Sequence, residues 1–130
     1  MPAFLFDLDG TLVDSVYQHV LAWREALEKT GIELAVWRIH RRIGMSGGLL
    51  INGLLRETGH RVTAAEAAHL QQVHAEAYAR LVAQVRPLPG ARELLTYLTR
   101  NRVSFAIATS GRPESAGPTC SCLVFTLTSL

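Results

Sequence analysis

Hydrophobic residues form two short continuous runs, and the segment between them has a helical period. The runs at residues 3–8 and 103–108 are rich in aromatic and branched aliphatic side chains, and each ends in a polar turn. Such runs are typical of strands that are buried on both faces, as in parallel sheets covered by helices. The pattern predicts a parallel α/β sheet with two clear strands and a weaker third candidate at 123–127.

The intervening segment is predicted to be entirely helical. One apolar face recurs every three or four residues after Asp14-Ser15, and Gly31 ends that helix. Further helices are expected at 35–43 and 49–57, and a long one at 63–85 begins with the capping box Thr63-x-x-Glu66. Prolines and Gly90 end this segment, and a short amphipathic helix follows at 91–99.

This order of elements divides the chain into a core and an insertion. Residues 1–14 and 87–116 are expected to form the core, and 15–86 a helical insertion. Residues 117–130 carry no charged side chain, and Gly117-Pro118 is expected to break the helix that begins at 112–114. Since a sheet usually has about 5–6 strands, we predict an incomplete sheet whose exposed edge lets copies of the chain associate.

Composition excludes several classes of function. The chain has 130 residues, which suits one domain, and a net charge of +2, which gives no electrostatic footprint for nucleic acid. The only cysteines, Cys120 and Cys122, fit neither a disulfide framework nor a metal spacing. No apolar run reaches the roughly 18 residues that span a bilayer. A cytoplasmic protein without a membrane or nucleic-acid partner is therefore expected.

The candidate chemistry lies where the first run ends. Asp7 and Asp9 flank Leu8 at the start of a turn, and a carboxylate at the end of a buried strand is costly unless it is paired or reactive. Open α/β sheets bind ligands beyond the carboxyl ends of their strands. Gly10 allows close approach of a phosphate, and Thr11 offers a hydroxyl and an amide.

Paired carboxylates of this kind suit phosphoryl transfer. One carboxylate attacks the phosphoryl group and forms an acyl-phosphate, while the second protonates the leaving oxygen and then activates water. Because two carboxylates repel a phosphate, a hard cation such as Mg²⁺ is needed beside them.

Residues 4–15, FLFDLDGTLVDS, resemble the first motif of the haloacid-dehalogenase-like hydrolases. More narrowly, the segment is similar to the phosphoglycolate-phosphatase and β-phosphoglucomutase branch of that superfamily. Residues 87–91 resemble the return of that branch's helical cap into the core, and 106–111 resemble its second motif. The resemblance implies a Rossmann-like α/β hydrolase core with an inserted all-helical cap.

The resemblance also implies roles for particular residues. Asp7 would be the nucleophile and a Mg²⁺ ligand. Asp9 would be the general acid/base and the second metal-binding residue, with its backbone carbonyl on the metal. The phosphate and the substrate would be bound by loop and cap residues: Gly10, Thr11, Thr109, Ser110, Gly111, Arg41, Arg42 and Ser46. For the arginines near Ser46, a solvated helix face is the alternative interpretation. The histidines at 19, 60, 69 and 74 show no metal-ligand spacing and are expected to have surface or packing roles.

The chain departs from the family pattern in its later part. The family uses a later lysine and a later acidic pair, whereas Lys29 is the only lysine here and no acidic residue follows Glu114. Three interpretations are open: a truncated or frame-shifted product, a short form completed by a partner, or a folded remnant that binds ligand without turnover. The uncharged tail favours the first of these.

The function implied is Mg²⁺-dependent hydrolysis of a small phosphorylated metabolite, such as a sugar phosphate or a phosphoglycolate-like monoester, through an aspartyl-phosphate. A sugar phosphomutase is the near alternative. A catalytically dead remnant or ligand-binding fragment is the alternative from another class of protein.

Overall fold

The computed structural model describes residues 3–123. Its strands are β1 (Ala3–Phe6), β2 (Val13–Asp14), β3 (Arg86–Pro87) and β4 (Ser104–Ile107). Its helices are α1 (Val16–Lys29), α2 (Val36–His40), α3 (Gly47–Thr58), α4 (Ala64–Leu81), α5 (Ala91–Arg100) and α6 (Pro113–Ser121), with a 3₁₀ turn at Val82–Gln84.

Strands β1 and β4 form the predicted parallel pair. Their register runs from Ala3 opposite Ser104 to Phe6 opposite Ile107. Each strand is shorter than its hydrophobic run. After β1 the chain turns away from the ladder. The carbonyl of Leu8 accepts backbone N–H groups from the next turn, including that of Leu12 at 2.9 Å.

The sheet is covered on one face within residues 3–123, which corrects the expectation of strands buried on both faces. Phe6, Phe105 and Ile107 pack against a buried apolar cluster to which helix α5 contributes. On the other face Leu5 is 72% exposed. The hydrophobic run predicted the strand correctly, but it does not reveal which layers cover the sheet.

The helices between β2 and β3 confirm the predicted helical character of residues 15–85. They enclose a buried apolar cluster to which α1, α3 and α4 contribute most of the side chains, among them Trp23, Leu54 and Leu70. The capping box is present, with the Glu66 amide donating to Thr63 Oγ1 at 3.2 Å. Helix α2 is shorter than expected, because residues 41–44 form turns instead of helix.

Strands β2 and β3 were not predicted. They pair in antiparallel fashion where the chain leaves the core and where it returns, with Val13 opposite Pro87 and Asp14 opposite Arg86. The amide of Leu88 also donates to the Leu12 carbonyl at 2.9 Å. Strands of two residues are too short to show an alternation of apolar and polar side chains in the sequence. This ribbon is therefore seen only in the structure.

Helix α6 continues through Gly117 and Pro118, so the expected break at these residues is wrong. An interior proline costs a helix about 3 kcal/mol, and packing against α4 offsets that cost. The hydroxyl groups of buried Thr119 and of Tyr78 on α4 form a hydrogen bond of 2.7 Å. Of the weak strand candidate, residue 123 lies in a turn, and 124–127 lie outside the described residues.

Candidate functional site

Asp7 and Asp9 lie where β1 ends, with Leu8 between them. The side chain of Leu8 is fully buried in the core beneath the sheet. Its amide donates to Asp7 Oδ1 at 2.8 Å, which fixes one oxygen of that carboxylate. Because Leu8 points inward, its two acidic neighbours project to the opposite side, into a common cavity.

The turn after Asp9 depends on Gly10. Its φ angle of +73° is in the left-handed region, and a Cβ atom here would lie 2.9 Å from Cγ2 of Val16. The Gly10 amide donates to the Val13 carbonyl at 2.9 Å and closes the turn. Glycine thus lets helix α1 begin close to the two carboxylates.

Asp9 is held by two side chains from the start of α1. The Ser15 hydroxyl donates to Asp9 Oδ1 at 2.5 Å, and His19 Nε2 donates to the same oxygen at 3.1 Å. Burial alone raises the pKa of Asp9, but the hydrogen bonds from these partners and the positive electrostatic influence of His19 outweigh it and lower the pKa. The carboxylate of Asp9 is therefore stabilised in its ionised form.

A second imidazole, His74 of α4, lies behind His19. Its Nε2 is 3.2 Å from Nδ1 of His19, and its ring stacks on Trp23 with centroids 4.1 Å apart. Burial and the adjacent His19 ring lower the pKa of His74 to about 3, so its ring is neutral near pH 7. A connected chain of polar groups thus runs from Asp9 into the interface between α1 and α4.

The loop after β4 supplies the facing side of the site. The Gly111 amide donates to Thr109 Oγ1 at 3.0 Å, which folds residues 109–111 into a tight turn. Arg112, the N-cap residue of α6, donates a hydrogen bond from its guanidinium to Oε1 of Gln71 on α4. This contact joins the loop to the helical segment across the cavity.

The cavity between these elements has a volume of about 300 Å³. It brings together five of the predicted site residues, namely Asp7, Asp9, Ser46, Ser110 and Gly111. Apolar side chains of the helical segment and the glycine-rich stretch 44–48 form the wall opposite the carboxylates.

The remaining predicted residues lie outside the lining of this cavity. Gly10 and Thr11 form the turn beneath it, and the Thr109 hydroxyl is engaged with the Gly111 amide. Arg41 and Arg42 border a separate surface cavity. There Arg41 lies 5.8 Å from the ring of Trp37, and Arg42 pairs with Glu57. Met45 lines both cavities.

Sequence reasoning missed five polar residues that line the cavity, namely His19, Gln71, His74, Arg112 and Ser115. His19 carried a usable signal, because it lies one helical turn after Ser15 at the start of the helix that follows the paired carboxylates. The others carried none, since they approach the carboxylates only through the packing of α4 and α6. The expected packing role is confirmed for His19 and His74, whose rings stack on each other. It is incomplete for His19, which also contacts Asp9.

The carboxylates suit a hard divalent cation. Mg²⁺ in proteins is bound by one or two carboxylates together with water and substrate phosphate oxygens. Asp7 and Asp9 supply two carboxylates on one cavity, and within residues 3–123 no group of three or more His, Cys, Asp or Glu side chains could hold a metal by itself. The donor set therefore fits Mg²⁺ bound jointly with a phosphate ligand.

Comparison with known proteins agrees with this geometry. The family model for the haloacid dehalogenase-like hydrolases matches residues 1–123. The chain belongs to this family. Its α/β fold class, expected from the first and second motifs, is thereby confirmed. Within residues 3–123, no helix has the length and apolar character needed to cross a membrane.

Two curated relatives show what members of the family do. The chain is 30% identical to β-phosphoglucomutase of Bacillus subtilis, and the match covers 86% of this chain and 52% of that protein. It is 33% identical to hexitol phosphatase A of Escherichia coli, with coverage of 83% and 48%. The chain therefore spans about half the length of the curated relatives it matches.

A solved structure shows the same arrangement of elements. The crystal structure of a hydrolase from Pseudomonas syringae is 49% identical to this chain and superposes with a TM-score of 0.93. The match covers 100% of this chain and 59% of the other. The folded unit described here is thus a part of a larger architecture in that structure.

Proposed function

We propose that the chain carries the phosphoryl-transfer site of a Mg²⁺-dependent phosphatase that hydrolyses a small phosphate monoester through an aspartyl-phosphate on Asp7. The observation that carries this proposal is the juxtaposition of Asp7 and Asp9 on one cavity with the turn that follows β4. Family membership supports it, because the matching family model describes hydrolases.

In the first half-reaction, a carboxylate oxygen of Asp7 attacks phosphorus and the bond between phosphorus and the ester oxygen breaks. The leaving oxygen takes a proton from the carboxyl group of Asp9, and the alcohol departs. Because the lowered pKa of Asp9 favours its ionised form, this half-reaction draws on the smaller protonated fraction. Ser110 and Gly111 line the same cavity, which supports a role for both residues in binding the oxygens of the phosphoryl group.

In the second half-reaction, the ionised Asp9 takes a proton from water as the water oxygen attacks phosphorus. The acyl-phosphate bond breaks, inorganic phosphate is released, and Asp7 regains its carboxylate. The hydrogen bonds from Ser15 and His19 favour the ionised form of Asp9, which is the base that this half needs. Mg²⁺ held by the carboxylate of Asp7 and the backbone carbonyl of Asp9 would neutralise the charge that otherwise repels the phosphate.

We also propose that residues 15–86 act as the cap over this site and select the substrate. Ser46, Met45 and Trp23 of that segment line the cavity opposite the carboxylates. The volume of about 300 Å³ is at the lower end of the usual range for small-molecule sites, which supports a small metabolite such as a sugar phosphate or a phosphoglycolate-like monoester.

A sugar phosphomutase is the second candidate, supported by the identity of 30% to β-phosphoglucomutase. Both activities begin with transfer of the phosphoryl group to Asp7. They differ in the acceptor that attacks the aspartyl-phosphate, which is water in the phosphatase and a sugar hydroxyl in the mutase.

The test is release of inorganic phosphate from an aryl phosphate and from a panel of sugar phosphates, with and without Mg²⁺. We expect Asp7→Asn to lower the rate by more than about 10³-fold, because it removes the nucleophile. Asp9→Asn is expected to lower it by about 10²–10⁴-fold. Chromatography of the sugar products distinguishes hydrolysis from isomerisation.

Arg38→Gln is the matched control, because Arg38 lies on the surface beside Trp37 and away from the cavity. It should retain the wild-type rate. A folded wild-type chain that releases no phosphate with Mg²⁺ present would contradict the proposal and favour a ligand-binding protein without turnover.

A further inference from the structure

The two nitrogens of the His19 ring contact different residues. Nε2 lies 3.1 Å from Oδ1 of Asp9, and Nδ1 lies 3.2 Å from Nε2 of His74 on α4. Among residues 3–123, His74 is the only one whose side chain forms a hydrogen bond with this Nδ1. The proposed reaction uses the contact between His19 and Asp9, and it leaves the contact with His74 without a role.

The positions of the hydrogen atoms give these two hydrogen bonds a direction. The ionised carboxylate of Asp9 has no hydrogen to donate, so Nε2 of His19 carries one, and Nδ1 of the neutral His19 ring is then an acceptor. The His74 ring is neutral near pH 7, because burial and the neighbouring His19 lower its pKa to about 3. Its single hydrogen is on Nε2, since two bare nitrogens 3.2 Å apart would repel each other. Donation thus runs from His74 to His19 and from His19 to Asp9.

Ring stacking fixes the planes of the two imidazoles but does not decide which edge of His19 faces Asp9. His19 stacks on Tyr78 with centroids 4.0 Å apart, and His74 stacks on Trp23 at 4.1 Å. A half-turn of the His19 ring about its Cβ–Cγ bond would keep the ring plane and would replace both bonded nitrogens by carbon atoms. The hydrogen bonds at the two nitrogens oppose this rotation, and the one from His74 does so independently of the charge on Asp9.

We propose that His74 is a positioning residue for the proposed reaction, whose Nε2–H group holds the His19 ring with its own Nε2–H group directed at Asp9. The assignment rests on the proposed function, since it takes Asp9 as the residue that exchanges protons with the leaving oxygen and with water. His74 acts through His19, because the hydrogen bonds to the Asp9 side chain come from Ser15 and His19. By keeping one of these two donors in place, His74 favours the ionised carboxylate that takes a proton from water.

Two amide side chains at position 74 separate the hydrogen bond from the imidazole ring. The side-chain nitrogen of glutamine reaches about as far along the side chain as Nε2 of histidine, whereas that of asparagine reaches only as far as Nδ1. His74→Gln therefore keeps a donor opposite His19, and His74→Asn is the matched control that removes it. Both substitutions remove the ring that stacks on Trp23.

We expect His74→Asn to lower kcat for the aryl phosphate with Mg²⁺ by about threefold to tenfold, which corresponds to one hydrogen bond. His74→Gln should stay within about twofold of the wild type, because its amide restores that bond. When each is combined with His19→Leu, the two substitutions should give equal kcat values, since no ring is left for position 74 to hold.

Nitrogen NMR of the histidine rings tests the contact without turnover. At about pH 8, where imidazoles are ordinarily neutral, long-range proton–nitrogen spectra of the wild-type chain should show hydrogen on Nε2 of both His19 and His74. The Nδ1 resonance of His19 should be that of a hydrogen-bonded acceptor in the wild type and in His74→Gln. In His74→Asn it should move to the position of a free acceptor.

Hydrogen on Nδ1 of His19 in the wild type, or the same Nδ1 resonance in both His74 variants, would overturn the assignment. So would equal kcat values for His74→Gln and His74→Asn, or a difference between them that persists with His19→Leu. A wild-type chain that gives the expected spectra and releases no phosphate would instead contradict the proposed hydrolysis, and it would support the positioning of His19 by His74.

Discussion

At the scale of single residues, some residues of the site can be predicted from the sequence. Others are brought to the site only by the packing of the helices. Asp7 and Asp9 could be predicted, because paired carboxylates after a buried strand have few structural explanations. The contact between Asp9 and His19 could have been inferred from helical spacing alone. His74 could not, because 55 residues separate it from His19 and nothing local requires them to meet.

The buried imidazole of His74 makes stability depend on pH. Its pKa is lowered from 6.5 to about 3 in the folded chain, chiefly by burial. The unfolded chain therefore binds a proton that the folded chain does not, and stability falls as pH falls below about 6.5, by up to about 1.4 kcal/mol per pH unit. In urea titrations between about pH 6.5 and 4.5, His74→Gln should reduce this slope.

His69→Gln is the matched control, because His69 is exposed on the same helix. It should leave the slope as in the wild type. A slope that His74→Gln does not change would show that other groups determine the acid sensitivity.

Because the turn at Gly10 is left-handed, any side chain at this position is expected to lower the free energy of unfolding. In Gly10→Ala the new Cβ would meet Val16 at 2.9 Å and would strain a φ of +73°. We expect a loss of about 1–3 kcal/mol in the free energy of unfolding, measured by urea denaturation. Gly48→Ala, where a Cβ meets nothing within 4 Å on a helix, should be neutral or stabilising instead. Equal effects of the two substitutions would count against the described turn.

At the scale of elements, periodicity predicted the helices and strands that are determined by adjacent residues. It missed the strands that form only by pairing with distant residues. The capping box of α4 and the hydrophobic runs of β1 and β4 carry their structure in a few adjacent residues. The β2–β3 ribbon has no such signal. The sequence of α6 predicts a break at Gly117-Pro118, but the helix continues. Its packing against α4 offsets the destabilisation by the interior proline.

The hydrogen bond between Tyr78 and Thr119 is expected to stabilise the packing of α6 on α4. Tyr78→Phe and Thr119→Val should each cost about 0.5–1.5 kcal/mol. The double variant should cost less than the sum, because both single changes remove the same bond. Urea unfolding of the four proteins measures this coupling. Strict additivity would mean that the two side chains do not interact in solution.

At the scale of the whole molecule, one face of the sheet is left uncovered by residues 3–123. Strand β1 pairs only with β4 among the described strands, and the outward face presents Leu5 beside small side chains of β4. Exposed apolar sheet surfaces and unpaired edges favour association between chains. The sequence indicated the exposed edge, since it offered only two clear strands.

We therefore expect the chain to self-associate as its concentration rises, and Leu5→Lys to weaken that association. Leu49→Lys is the matched control, because Leu49 is also exposed, at 58%, but lies on α3 and not on the sheet. Sedimentation velocity over a range of concentrations measures the effect. A wild-type chain that stays monomeric throughout, or equal effects of the two substitutions, would contradict this expectation.

The central claim is that Asp7 accepts the phosphoryl group. Acid quenching during turnover of a phosphate monoester with Mg²⁺, followed by peptide mass spectrometry, tests it most directly. The account predicts a phosphoryl group on the peptide that contains Asp7, sensitive to hydroxylamine as an acyl-phosphate is, and absent from Asp7→Asn. Phosphate release by the wild-type chain with no adduct on Asp7 at any time, or an adduct that persists in Asp7→Asn, would contradict the account.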